Sequence, residues 1–547
     1  MNGLMMRYPL TLRHILEHAA ARFPDQEIAS KFPDGVHRIS YAEFHRRTHR
    51  LGHVLAQLGV GRGSRVGTLC WNSHRHLELY FAVPSYGAVL HTLNLRLSDD
   101  QLAYIVNHAQ DEVIFCDASI LPILNRIREQ IPCVRAIVAL ADEPGHNEAL
   151  DYDTLLAAAP AVDYPWPDLD EYEACATCYT SGTTGNPKGV LYDHRSLFLH
   201  SMSLATVDVF GFSERDVLLQ VVPMFHANGW GMPYAALMTG MKIVLSGRQL
   251  QPEDIAHLIE SERVTFSAGV PTLWMGLYGY LEKYPRDISS LRTIVAAGSA
   301  MPRQFIEWFD RKYHVQFRLA WGMTETTPIA TVTIPRPRHS ALADSAKYDL
   351  LARHGRVSPG LELRVIDDQK KPVPSDGKTM GELQIRGAWI TDGYFNDPRS
   401  PEDAATSFDT DERGHRWFRT GDVATIDADG YIQIMDRTKD LVKSGGEWIS
   451  SVDLENMIMA HPDVAEAAVI AIPHPKWEER PLACVVPRDP ALTKEDIIEF
   501  LRPKVAKWWL PDDVVFIEAV PKTSVGKFNK RALRQQFESY GFAGSAN

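Results

Sequence analysis

Short apolar runs alternating with helical patterns constrain the fold of this 547-residue chain more than any other feature. Arg65–Trp71, Val113–Cys116, Val134–Leu140, Asp216–Val221, Lys242–Leu245, Thr265–Ala268 and Thr293–Ala297 read as strands. His76–Gly87, Pro252–Glu262 and Pro302–Tyr313 read as helices between them, and Leu12–Phe23 and Ile39–Leu58 as helices upstream, with Ser40 a cap candidate. Such alternation predicts an α/β fold with largely parallel sheets flanked by helices. Ligands of such sheets bind beyond the carboxyl ends of the strands.

Near Arg356 the texture changes. Leu361–Ile366, Gly381–Arg386, Val423–Ile426 and Tyr431–Met435 are short runs split by Gly, Pro and Asp, which predicts a β-rich subdomain. After Asp436-Arg-Thr-Lys-Asp440 comes a compact tail. Its helices are expected at Val452–Ala460 and Lys494–Val505, and its strands at Ala465–Ile472, Leu482–Val486 and Val514–Glu518. The division expected is a large domain over 1–437 and a small, mobile α+β domain over 438–547.

Composition removes several function classes. A hydrophobic fraction of 45% with 23% charged residues is that of a soluble globular protein, and a net charge of −12 argues against a general nucleic-acid surface. Six cysteines are few for this length. Cys175-Ala-Thr-Cys178 is formally C-x-x-C, but no second pair or histidine ligands accompany it, so buried thiols in a reducing cytoplasm fit better than a metal or redox site. No apolar run reaches the ~18 residues of a membrane span, and the N-terminus lacks a secretory pattern. Peripheral membrane contact stays open.

Tyr179-Thr-Ser-Gly-Thr-Thr-Gly-Asn-Pro-Lys-Gly-Val190 follows the run Ala174–Tyr179, read as a strand, and precedes His194–Val207, read as a helix. Its glycines allow close approach, its hydroxyls and backbone N–H groups suit a polyanion, and Lys188 adds a charge. A solvated linker is the plain alternative. An ATPase P-loop would need Gly-Lys-Ser/Thr opening a helix, whereas Pro187 and Gly189 flank Lys188. The stretch resembles the phosphate loop of the acyl-adenylate-forming (AMP-binding) superfamily, and further motifs follow in the family's order from Leu12 to Arg534.

The resemblance implies a role for each motif. Thr180, Ser181, Gly182, Thr183, Thr184 and Lys188 would hold ATP phosphates, with Glu325 and Thr184 on Mg²⁺. Ala297-Gly298-Ser299-Ala300 and Trp321-Gly322-Met323-Thr324-Glu325 would wall the adenine site, with Trp321 in place of the family's usual tyrosine. Asp422, in Thr420-Gly-Asp422 at an expected turn, would take the ribose hydroxyls beside Arg437. Lys439 would be the hinge. The loop Lys443-Ser-Gly445-Gly446-Glu447-Trp448 would line the CoA tunnel, and Lys527 would complete the adenylation site. Lys522 and Lys530 read as solvated or near CoA.

Val222-Pro-Met-Phe-His226-Ala-Asn-Gly-Trp230-Gly231 looks like the acyl site of bacterial medium- and long-chain fatty acyl-CoA synthetases, with Gly269 nearby. There His226 flanks the carboxylate and Trp230 gates the tunnel. Thr324 and Lys443 would help position the reacting groups. The activity implied is ATP, CoA and a fatty acid giving acyl-CoA, AMP and pyrophosphate through an acyl-adenylate. A ligase for a short thioether or aromatic acid, or an inactive binding protein of this fold, are the alternatives. The resemblance also implies a homodimer.

Overall fold

The computed structural model describes residues 1, 3–141, 149–180, 186–248, 250–444, 447–522, 528–538 and 540–541. Six parallel strands form the middle of a nine-stranded sheet, in the order Gln316–Gly322, Thr293–Ala297, Phe266–Gly269, Val217–Gln220, Lys242–Leu245, Glu27–Phe32. Antiparallel strands extend it on both sides. A seven-stranded sheet carries Ala136–Leu140, Asp111–Asp117, Arg65–Leu69, Val89–Thr92 and Ala174–Tyr179 in parallel, with Gly189–Asp193 closing one edge antiparallel. The α/β expectation therefore holds.

One core cluster joins residues of both sheets around the helix His74–Tyr86, nearly all of which is buried. A helix buried all round must pair its polar side chains. Arg47 Nε donates to Glu78 Oε1 at 2.6 Å, and the Tyr152 hydroxyl donates to the same carboxylate. The ring nitrogens of His76 meet Thr68 Oγ1 at 3.0 Å and the Trp71 carbonyl at 3.1 Å. The helix Tyr41–Gln57 starts where expected, with Ser40 Oγ accepting from the Glu43 N–H at 3.2 Å.

Beyond Arg356, Leu361–Ile366, Gly381–Gly387, Arg416–Ile426, Phe408–Thr410 and Ile432–Arg437 form an antiparallel sheet. A last sheet gathers Val442–Ser444, Glu447–Ile449, Glu478–Pro487, Val464–His474 and Asp513–Phe516 over two clusters of their own. None of the six cysteines is in a disulfide, and Cys175 and Cys178 are buried in their strand. Among the described residues no helix is long and apolar enough to cross a membrane.

Two expectations need correction. The phosphate stretch does not run from a strand into a helix, because Gly189–Asp193 is a strand paired antiparallel with Ala174–Tyr179. The loop therefore closes a hairpin, and the helix His194–Ala205 begins one strand later. Thr420-Gly-Asp422 is not a turn but lies inside the strand Arg416–Ile426. Gly421 takes φ +71 there, a conformation that favours glycine, and the register shifts just beyond, between Val423 and Ala424.

Candidate active site

A cleft of about 730 Å³ opens beyond the carboxyl ends of the parallel strands. That volume lies within the ~300–1,000 Å³ of small-molecule sites. Thr180, His226, Val270, Ala297–Ala300 and Trp321–Glu325 each follow or end a strand and line it. The β-rich sheet contributes Asp422 and Arg437, and the last sheet's helices contribute Glu455 and Lys530. Lys439 also lines the cleft, and burial lowers its pKa.

On one side Asp422, 2% exposed, is held by two donors. Arg437 Nε lies 2.7 Å from its Oδ1, and Trp321 Nε1–H donates to its Oδ2 at 2.8 Å. Asp422 and Arg437 are direct cross-strand partners, so the sheet register itself sets this pair. The Asp422 charge raises the Arg437 pKa. The Asp422 N–H bonds Thr420 Oγ1 at 3.1 Å, which fixes the strand at its irregular point. An aspartate aimed into a cleft with both oxygens oriented suits a vicinal diol.

On the other side stands Glu325, 5% exposed, in the short turn Thr324–Thr326. The Tyr394 hydroxyl donates to Glu325 Oε1 at 2.6 Å, and Lys188 Nζ sits 4.8 Å from the Tyr394 ring centre. Burial lowers the Lys188 pKa, with Arg399 adding to the effect. The Tyr192 hydroxyl donates to the Thr324 carbonyl at 2.7 Å, and the Thr391 N–H to the Glu325 carbonyl at 2.9 Å. Gly322 admits no side chain, since a Cβ would lie 1.8 Å from the Pro328 oxygen. Thr180 and Lys188 extend the hairpin through Thr180 N–H to the Lys188 carbonyl at 2.9 Å and Lys188 N–H to Thr180 Oγ1 at 3.1 Å.

The apolar wall is made by Trp230, Val270, Met275 and Ile329. Trp230 is packed in the main core, so its indole forms the boundary between core and cleft. It sits in a left-handed run, with φ of +36, +42, +60, +61 and +71 from Ala227 to Gly231. The glycines at 229 and 231 relieve part of that strain. A Cβ on Gly231 would lie 2.5 Å from the buried His200 Nδ1. Gly231→Ala is therefore expected to destabilise the fold by roughly 1–3 kcal/mol, read as a lowered urea midpoint at unchanged slope. Gly269 ends its strand beside this wall, packed against Leu273 and Trp274.

Ser181, Gly182, Thr183, Thr184, Gly445, Gly446 and Lys527 lie outside the described residues, as does the Glu447 side chain. Lys443 and Trp448 pair across a short hairpin, with the ammonium 5.0 Å from the ring, and neither lines the cleft in this arrangement. Lys530 is not solvated: it is paired with Glu455 at 2.7 Å and its side chain is 10% exposed. Lys522 pairs with Glu466 at 2.5 Å. Sequence reasoning missed Tyr192, Tyr394 and Arg399. Tyr394 and Arg399 stand in Gly-Tyr394-Phe-Asn-Asp-Pro-Arg399, a stretch whose aromatic and charged residues amid turn formers were a usable signal.

Glu17, His45 and His49 gather away from the cleft with metal-ligand chemistry. The Tyr164 N–H donates to His49 Nδ1 at 2.9 Å and the Trp166 indole N–H to its Nε2 at 3.2 Å, so both ring nitrogens already have protein partners. Glu17 Oε1 lies 3.3 Å from the same Nε2, and Glu17 Oε2 lies 2.9 Å from His45 Nε2. Burial works against the Glu17 charge, but bonds from His45 and His49 outweigh it and draw its pKa down to about 2. The cluster ties two helices together.

Residues 16–395 match the AMP-binding enzyme family, and 453–527 match the AMP-binding enzyme C-terminal domain. The chain belongs to this family. It is 48% identical to a long-chain-fatty-acid–CoA ligase of Thermus thermophilus, over 98% of this chain and 97% of that one. It is 45% identical to a 3-methylmercaptopropionyl-CoA ligase of Ruegeria pomeroyi, over 98% and 99% respectively. Among solved structures, the anthranilate CoA ligase AuaEII in complex with anthranoyl-AMP superposes with a TM-score of 0.86 at 25% identity, over 97% and 98% of the two chains.

Proposed function

We propose that this protein is an AMP-forming fatty acyl-CoA synthetase acting on medium- to long-chain acids. The observation that carries it is one cleft with a doubly held ribose-type carboxylate, Asp422, opposite the Lys188–Tyr394–Glu325 group and beside the Trp230 wall. In the first step an acid oxygen attacks the α-phosphorus of ATP, and the bond to pyrophosphate breaks. In the second, the CoA sulfur attacks the acyl carbon, its proton is lost, and AMP leaves. Asp422 and Arg437 bind ribose, while Trp321 faces adenine and orients Asp422. Thr180, Lys188 and the hydroxyl loop take the phosphates, and Thr324 and His226 flank the α-phosphate and carboxylate.

Glu325 fits a hard cation, since it offers carboxylate oxygen with one atom oriented by Tyr394. Mg²⁺ held there, with Thr184, would neutralise phosphate charge. Glu325→Gln should raise the Mg²⁺ concentration needed for half-maximal rate at least several-fold, measured by titration. An unchanged requirement would remove Glu325 from that role.

We place the domain boundary at 437/438, with Lys439 as hinge and the 443–448 hairpin entering for thioester formation. Lys439→Pro restricts φ and removes one N–H at that pivot. Adenylation and thioester formation are expected to respond unequally, and equal wild-type rates would move the hinge elsewhere. The family resemblance and the unpaired thiols support a cytoplasmic location, and the resemblance alone a homodimer.

The substrate is tested by kcat/KM along a chain-length series. Each buried CH₂ gains roughly 0.8 kcal/mol, close to fourfold per carbon. The rate constant should rise through octanoate and decanoate, then level where the tunnel ends, with acetate poor. Trp230→Ala should disturb this ranking more than ATP affinity. A tenfold preference for 3-methylmercaptopropionate or an aromatic acid over octanoate and decanoate would replace the fatty acid as substrate. The 45% identity to a 3-methylmercaptopropionyl-CoA ligase makes that the second reading.

A further inference from the structure

A chain of polar contacts runs from the last helix to the nucleotide carboxylate. Lys530 opens the helix Lys530–Gln536, and its ammonium lies 2.7 Å from Glu455 Oε1 and donates to Ser451 Oγ. Ser451 in turn gives both its hydroxyl and its N–H, the latter at 2.9 Å, to Asp436 Oδ2. The other Asp436 oxygen accepts the Arg437 N–H at 2.8 Å, and Arg437 holds Asp422. One helical turn beyond Lys530, Arg534 pairs with Asp440 Oδ1 at 2.7 Å. Two cations on one helix face thus hold groups that follow Lys439, and Ser451 carries the contact across to Asp436, which precedes it.

These groups are buried, with the Lys530 side chain 10% and the Glu455 side chain 7% exposed and Asp436 3%. Burial pushes Glu455 up to about 7 even with the ammonium beside it. Buried ion pairs are a weak way to build a permanent anchor, because apolar residues of similar size do as well or better. Both ion pairs lie within 438–547, so they hold Ser451 in place, and the contact from Ser451 to Asp436 crosses to the large domain. The Ser451 donors and the Asp436 carboxylate are rehydrated on separation, whereas an apolar contact would expose its surface to water.

Resting on the acyl-CoA synthetase reading, we propose that Lys530 is a positioning residue for adenylation. Clamped by Glu455, it fixes Ser451 and Asp436, and through Arg437 it sets the carboxylate that binds ribose. The Ser451–Asp436 contact, held in place by Lys530, ties the C-terminal segment to the nucleotide site while acyl-AMP forms and separates before thioester formation. Coupling of this kind is worth roughly a 2- to 30-fold change.

The test uses the full-length protein. Lys530→Met should weaken ATP binding, measured by calorimetry without acid, by about 5-fold or more, and slow ATP–pyrophosphate exchange by roughly 5- to 30-fold, the upper part of that range. Thioester formation from supplied acyl-AMP should stay within about twofold of wild type. Lys530→Arg should restore most of the exchange rate, and Glu455→Gln should shift the two half-reactions in the same direction as Lys530→Met. A merely structural lysine would lower both half-reactions together with the thermal midpoint, and that result overturns the proposal. So does unchanged ATP affinity in Lys530→Met. If no acid supports exchange even in the wild type, the substrate reading falls, while ATP affinity still decides the role of Lys530.

Discussion

Lys527→Ala is expected to slow acyl-AMP formation by about 10²–10³, the scale for removing one positioned donor that stabilises developing charge. Thioester formation from supplied acyl-AMP should stay near wild type. The proposed role explains the asymmetry. In the first half-reaction, negative charge builds between the attacking carboxylate and the α-phosphate, and a cation there lowers the barrier. In the second, the phosphate is already the leaving group, and the 443–448 segment is proposed to replace the Lys527 segment. Pyrophosphate exchange and acyl-AMP consumption, measured on one preparation, separate the two. Equal loss in both half-reactions would contradict the two-arrangement scheme.

Asp422→Ala is expected to raise KM for ATP by roughly 10- to 100-fold while leaving KM for the acid nearly unchanged. A hydrogen bond to a charged group is worth about 1.5–3 kcal/mol, and the carboxylate is proposed to accept from the ribose hydroxyls. Its loss also leaves Arg437 without its cross-strand partner and the Trp321 N–H without its acceptor, so part of the effect is local disorder of the wall. Asp422→Asn keeps an acceptor for Trp321 and should fall between the two. A KM for ATP within twofold of wild type in Asp422→Ala would remove the residue from the nucleotide site.

Much of this was legible in the sequence. Lys242–Leu245, Thr293–Ala297, Pro252–Glu262 and Leu361–Ile366 occupy the bounds expected from periodicity and punctuation. The motif residues Lys188, His226, Trp321, Glu325, Asp422 and Arg437 do come together at one cleft. What stayed hidden has physical causes. Gly189–Asp193 was hidden by its leading glycine, which reads as loop, although its partner strand dictates pairing. Gly421 likewise concealed that Asp422 sits in a long strand, where register with Arg437 does the positioning. Tyr394 reaches Glu325 across 69 residues of chain, and Lys530 reaches Ser451 across 79, distances over which local pattern carries no information.

The central claim is acid-dependent adenylation followed by transfer to CoA, and it is tested most directly by measuring pyrophosphate release across a panel of acids, each with and without CoA. The account predicts release that requires an acid, is greatest with medium- and long-chain fatty acids, and turns over repeatedly with CoA while AMP and thioester accumulate in equal amounts. Release independent of any acid, or ADP and inorganic phosphate in place of AMP and pyrophosphate, would contradict it.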